Sequence, residues 1–339
     1  MTPSVRSRTL AAVAAVAALA LSACGSSSSS STSPAASSAS TSSSASASQS
    51  AAPKPLRIGF LPPTMGVPAF KGLADGMTAA GKANGDTVVT AEAKFNPATQ
   101  IQTIQQWVRL GQVDAIWVIP VAAKAIAPSL TEATGKGIVV LAGGAPADYG
   151  FNGIQPGMSF SAIDQVAFGK GIGDLMAACV NKRLAGKSTV IYAGPNAAAQ
   201  STTDINTASQ AALASGAPGA TIVQKLVAKS DLASDQVLIA SALQGNPTSD
   251  GFMAGDAEAT MAGLNAYTAA GKDATKICIV GNGGEPDQLA AVKTGKLYGI
   301  VAFDFMADMG QNLGQLHTMA AAPTAPGTQL TVPIKTVNS

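Results

Sequence analysis

From Pro55 onward the chain alternates two hydrophobic periods. Short apolar runs read as strands: 56–60, 87–90, 115–119, 138–141, 189–192, 221–227, 252–254, 277–280, 298–303 and a final 331–337. Ala115-Ile116-Trp117-Val118-Ile119 is apolar throughout, as expected of a strand buried on both faces of a parallel sheet. Between these runs the apolar residues recur at helical spacing. Phe70, Leu73 and Met77 mark one face of a helix over 68–85, and Ile101, Ile104 and Val108 mark the next. Asn96-Pro97 opens that second helix as N-cap and first-turn proline. Further helices are predicted over 125–134, 165–184, 204–215, 234–243, 258–270, 286–294 and 306–321.

Strand–helix alternation throughout predicts an α/β protein with parallel sheets. Ten strands over roughly 280 residues fit two sheets better than one. In such sheets ligands sit at the carboxyl ends of the strands, so two lobes with those edges facing each other make a cleft.

The segment before Pro55 follows neither period. Arg6 and Arg8 precede an uncharged apolar run from Leu10 to Leu21, too short to span a bilayer comfortably, so residues 1–23 read as an export signal peptide. Leu21-Ser22-Ala23-Cys24-Gly25 resembles the lipobox of bacterial lipoproteins, with Cys24 as the lipidated residue at the start of the mature chain. Residues 24–53, nearly all Ser, Ala and Thr after the cysteine, bury too little to fold and are expected to be a disordered tether.

Composition removes several functions. Net charge is +2 and the basic residues are scattered, which argues against a nucleic-acid binder. One histidine, His317, and three cysteines exclude a His-rich metal centre or a Cys-rich zinc module, so no metal or cofactor is expected. Neither a Ser-His-Asp arrangement nor a phosphate loop stands out, and no enzyme is expected.

Several motifs, in order and at matching intervals, carry a family resemblance over residues 56–320. They are Arg57-Ile58-Gly59-Phe60 with Pro68-Ala69-Phe70 and Gly76, then Asn96-Pro97-Ala98-Thr99-Gln100. Gly111-Gln112-Val113-Asp114-Ala115-Ile116 follows, with Ile119-Pro120 and Gly137-Ile138-Val139-Val140. Later come Asp164-Gln165 with Gly169, then Asp256, Val280-Gly281 and Gly295-Lys296-Leu297. Together they resemble the ribose-binding-protein type of periplasmic solute-binding protein, the extracytoplasmic receptor of ABC importers. The resemblance implies the type 1 fold: two doubly wound parallel-sheet lobes joined by a three-crossing hinge that closes on a solute. Lobe 1 is expected over 56–162 plus 305–326, and lobe 2 over 163–304 plus 327–339. Crossings are expected near 162–164, 303–305 and 326–330. The implied partners are a small solute, an ABC permease and the membrane through the lipid anchor, and a monomer is expected. A sensor presenting its solute to a membrane signalling receptor is the alternative.

The polar groups that sugar-binding members carry around the cleft are replaced here, at Val67, Gly144-Ala145, Asp204-Ile205, Gly255, Gly283 and Phe303. A pocket stripped of such groups suits a small solute with fewer hydroxyls than a hexose. It is either more apolar or takes its polar groups from other positions. The candidate ligand-binding residues are Met65, Val67, Phe70, Asp164, Asn196, Gln200, Asp256, Asn282 and Phe303. Phe70 is read as a stacking face, and Asp256 as an organiser of its strand end. Asp204 is read as a helix cap, and Trp107 and Trp117 as core. The family layout puts Cys179 and Cys278 on the side of lobe 2 away from the cleft; a disulfide and two buried free thiols both remain open.

Overall fold

A computed structural model describes residues 54–195 and 200–339. The signal peptide, Cys24 and the whole tether lie outside the described residues, as does Asn196. Residues 54–339 carry two six-stranded sheets.

The first sheet contains β1 (Arg57–Leu61), β2 (Thr87–Thr90), β3 (Ala115–Val118), β4 (Val139–Gly143) and β5 (Met158–Ala162), with β11 (Gln329–Thr331) on its edge. Its order is β11-β5-β4-β3-β1-β2, all parallel. The second holds β6 (Lys187–Gly194), β7 (Gly219–Val227), β8 (Gly251–Ala254), β9 (Cys278–Asn282), β10 (Gly299–Phe303) and β12 (Ile334–Asn338). Its order is β12-β10-β9-β8-β6-β7, parallel except for the antiparallel β10–β12 pair.

Helices cover both faces of each sheet, and the period-2 pattern decides which core each side chain joins. On β3, Ala115 and Trp117 pack toward α1 (Pro68–Asn84) and α9 (Phe305–Ala321). Ile116 and Val118 pack toward α2 (Pro97–Leu110) and α3 (Ala123–Gly135). In the second sheet, Val190 and Met253 meet α4 (Gln165–Arg183) and α5 (Gln200–Gly216). Ile191 and Phe252 meet α6 (Leu232–Gly245), α7 (Ala257–Ala269) and α8 (Pro286–Lys293). Among the described residues no helix is long and apolar enough to cross a membrane.

Two expectations need correction. The sequence pattern shows no strand between 141 and 165, yet Met158–Ala162 is β5. Three of its five residues are polar or small. Ser159 and Ser161 are buried because partners satisfy them: Ser159 Oγ accepts from Thr328 N and Gln315 Nε2, and Ser161 Oγ donates to Asp308. The expected final strand is in fact two. β11 pairs with β5 in the first sheet and β12 with β10 in the second, separated by Val332 and Pro333. Proline has no N–H to donate to a ladder, which suits a break there. The third crossing therefore lies after Thr331, not at 326–330, and residues 329–331 belong with the first sheet. The crossing segments are bonded to one another, Val332 N to Ala162 O and Asp304 N to Pro333 O.

Glycine spacing sets how closely α4 and α5 approach. A Cβ on Gly169 would lie 2.5 Å from the Ile205 carbonyl oxygen, and one on Gly173 would be 2.6 Å from the Ala212 Cβ. Both glycines face α5, one helical turn apart. Gly173→Val should therefore lower stability by about 1–3 kcal/mol through overpacking. An unchanged urea midpoint for this variant would show that the two helices can separate without cost.

Cys179, late in α4, is bonded to Cys278 at the start of β9, with Cα atoms 5.7 Å apart. Because β9 runs from Cys278 toward the cleft at Asn282, the bridge lies at the far edge of its sheet.

Candidate functional site

The carboxyl ends of the first sheet's strands border a cavity of about 680 Å³. Most of its wall is apolar. Phe70 and Leu73 come from the start of α1, and Trp117, Ile119 and Pro120 from the end of β3. All three crossings contribute, with Ala162 and Ile163 from the first, Phe303 and Phe305 from the second, and Val332 from the third. A smaller cavity of about 370 Å³ shares Phe303 and Phe305. The second lobe supplies its far side through Ala257 and the turn from Asn282 to Glu285.

Local sequence explains how these groups are held. Asn96 caps α2, accepting from Ala98 N and Thr99 N. One turn on, the buried Gln100 donates to Ile119 O and accepts from Val121 N, which fixes the turn after β3 against the cavity. After β4, Gly144 has φ +104. A Cβ there would lie 2.8 Å from Asp148 Oδ2, which itself accepts from Ala145 N. Both the backbone and Asp148 thus exclude a side chain at 144. Tyr149 closes the same turn by donating to Gly143 O, and burial pushes its phenol far above the usual tyrosine range.

The turn after β9 has a comparable clamp. Gln288 Oε1 accepts from Gly284 N and Glu285 N, and its Nε2 donates to Ala257 O. A Cβ on Gly283 would be 2.7 Å from that Oε1. The Gly281-Asn282-Gly283-Gly284 run is therefore explained by close packing within the protein.

Polar groups gather on one side of the larger cavity. Asp148, Ser161, Gln165 and Asp308 line it. Asp308, on the first turn of α9, is 5% exposed. Its Oδ1 accepts from Ser161 Oγ at 2.9 Å and Gln311 Nε2 at 3.0 Å, and its Oδ2 from Asn312 Nδ2 at 2.9 Å. Burial holds its carboxyl above the usual aspartate range, against the downward pull of those three donors.

The structure brings Phe70, Phe303 and Asn282 to the two cavities. The other predicted residues sit beside them. Asp164 lies between lining residues Ile163 and Gln165 but is the N-cap of α4, accepting from Ala167 N. Asp256 caps α7 through Ala259 N and accepts from Ser230 Oγ, so its carboxylate is engaged in ordering the strand end. Met65 packs on the first lobe's core and gives its N–H to Glu92. Val67 is the N-cap position of α1, 37% exposed, and lines neither cavity. Gln200 begins α5; its side chain is outside the described residues. Asp204 lies inside α5, so it is not that helix's cap. Trp107 is core, and Trp117 is both core and cavity wall.

Asp308, Ser161 and Asp148 were not candidates from sequence. The available signal was spacing: Asp308 follows the α9 N-cap, Asp304, by four residues, one turn from the second crossing. Among the described residues no group of three His, Cys, Asp or Glu could hold a metal. His317 is instead paired with Asp86 at 2.9 Å within the first lobe.

The sequence profile of the periplasmic binding protein domain matches residues 58–315. No curated protein sequence matches the chain. Among solved structures, an ABC transporter periplasmic solute-binding protein from Actinobacillus succinogenes 130z with bound D-allose superposes with TM-score 0.69. The two are 18% identical, over 84% of this chain and 98% of the other. An arabinose-binding protein from Geobacillus stearothermophilus gives TM-score 0.68 at 14% identity, covering 84% of this chain and 97% of its own. A Caulobacter myo-inositol-binding protein bound to myo-inositol gives 0.64 at 19%, covering 84% and 93%. At these identities the likeness is one of fold.

Proposed function

Because this chain belongs to the periplasmic binding protein family, whose members bind solutes and are not enzymes, we propose that it is an extracytoplasmic receptor for a small solute. The solute is sugar-like or a related metabolite with fewer hydroxyls than a hexose. It is held between the lobes and delivered to an ABC import permease. Cys24 carries a lipid that anchors the chain to the outer face of the membrane, and residues 25–53 give the receptor reach toward the permease. The receptor acts as a monomer.

The observation that carries this reading is the cavity at the strand ends, where all three crossings contribute wall residues. A solute there touches the segments that must rearrange when the lobes close. Its binding energy therefore falls on the open–closed equilibrium. The aromatic walls suit a ring face. Asp148, Ser161, Gln165 and Asp308 give the few directed hydrogen bonds that a mostly apolar pocket needs.

A thermal-shift panel of aldoses, inositols, amino sugars, nucleosides and small amines tests the proposal. A solute at a hundred times its Kd should add about 2.7 kcal/mol of stability, a rise in Tm of about 5 °C or more. No shift with any class would count against a small-solute receptor.

A further inference from the structure

We propose that the solute in this cleft is a cation: a protonated amine, such as an amino sugar, or a quaternary ammonium. The inference rests on the receptor reading and adds the charge class of the solute.

The charged residues that line the larger cavity are Asp148 and Asp308, and the one that lines the smaller is Glu285. All three are acids. Among the described residues no Lys, Arg or His lines either cavity, and residues 196–199 are Asn and Ala. The donors to Asp308 are a hydroxyl and two amides, so its hydrogen bonds are made but its charge is not offset. Asp148 is exposed and accepts from the Ala145 amide, so the buried charge in question is that of Asp308. Behind the cavity lining, the fully buried Asn312 gives its amide to Asp308 while its Oδ1 has no donor among the described residues.

A buried carboxylate without a counter-charge is costly, and removing that cost is what a cationic solute would do. The raised titration range of Asp308 reports the same cost. The rest of the lining fits as well. Phe70, Trp117, Phe303 and Phe305 border the same cavity, and a desolvated cation gains by lying over an aromatic face. The backbone leaves no place for a cationic side chain of the protein's own at 144, where φ is +104 and Asp148 fills the space.

Isothermal titration with two matched pairs tests the charge. One pair is choline and its neutral isostere 3,3-dimethylbutan-1-ol; the other is D-glucosamine and D-glucose. The expected result is that at least one cation binds about tenfold or more tightly than its neutral twin. Asp308→Asn should remove that preference, weakening the cation about tenfold more than its neutral twin. If that variant fails to fold, Asp148→Asn should reduce the same preference. Equal or tighter binding of the neutral twins overturns the charge assignment and leaves the receptor reading in place. If none of the four binds, native mass spectrometry of the solute carried from the host decides. A bound cation supports the charge assignment. A bound neutral or acidic compound overturns it alone, and a bare chain counts against both readings.

Discussion

Replacing Cys179 and Cys278 together by serine is expected to lower stability by about 2–5 kcal/mol while leaving solute affinity unchanged in the molecules that remain folded. The two residues are 99 positions apart, so the bond closes a long loop of the unfolded chain. A loop of about 100 residues corresponds to about 4.7 kcal/mol in the chain-entropy account. The bridge ties the last turn of α4 to the amino end of β9, and both cysteines are fully buried in the second lobe's core. Its distance from the cleft separates stability from function. Urea unfolding of the oxidised, reduced and double-serine proteins checks the prediction. A midpoint that barely moves would mean that core packing, not the bond, holds these elements together. A large loss of affinity in the folded variant would mean that the far edge of the sheet governs the cleft.

Phe303→Ala is expected to weaken solute binding about 100-fold, corresponding to about 2.7 kcal/mol. Phe303 ends β10 at the second crossing and borders both cavities. Its ring stacks on Phe168 at 4.4 Å between centroids, inclined by 21°, and meets Phe305 at 5.8 Å. Phe168 belongs to the second lobe's core, so the Phe303 ring is held from behind and presents an ordered wall. Truncation removes the wall and loosens Phe305 with it. Phe303→Leu keeps much of the volume and should lose less. Titration of the three proteins with one solute gives the comparison, and equal Kd values for alanine and wild type would place the solute elsewhere.

The sequence showed most elements because most strands are apolar runs and most helices carry an apolar face. The N-cap at Asn96 was readable for the same reason: it rests on a residue and its near neighbours. β5 escaped because its serines are buried through hydrogen bonds to residues 147 to 169 positions away. Asp308 escaped on similar grounds. Nothing within α9 tells that its first turn closes a cavity against Ser161. Asp256 matches a family position and reads as an organiser of its strand end, and its oxygens serve a cap and the Ser230 hydroxyl. Replacement of polar positions at Gly144 and Phe303 was legible. That Asp148 and Asp308 would supply polarity instead required the fold.

The measurement that bears most directly on the account is native mass spectrometry of the chain from residue 54 onward, secreted from a bacterial host. The account predicts a bound mass of about a few hundred daltons, as expected for a drug-sized pocket, released on unfolding and missing from Phe303→Ala. A bare wild-type chain that no compound in the thermal panel stabilises would contradict it.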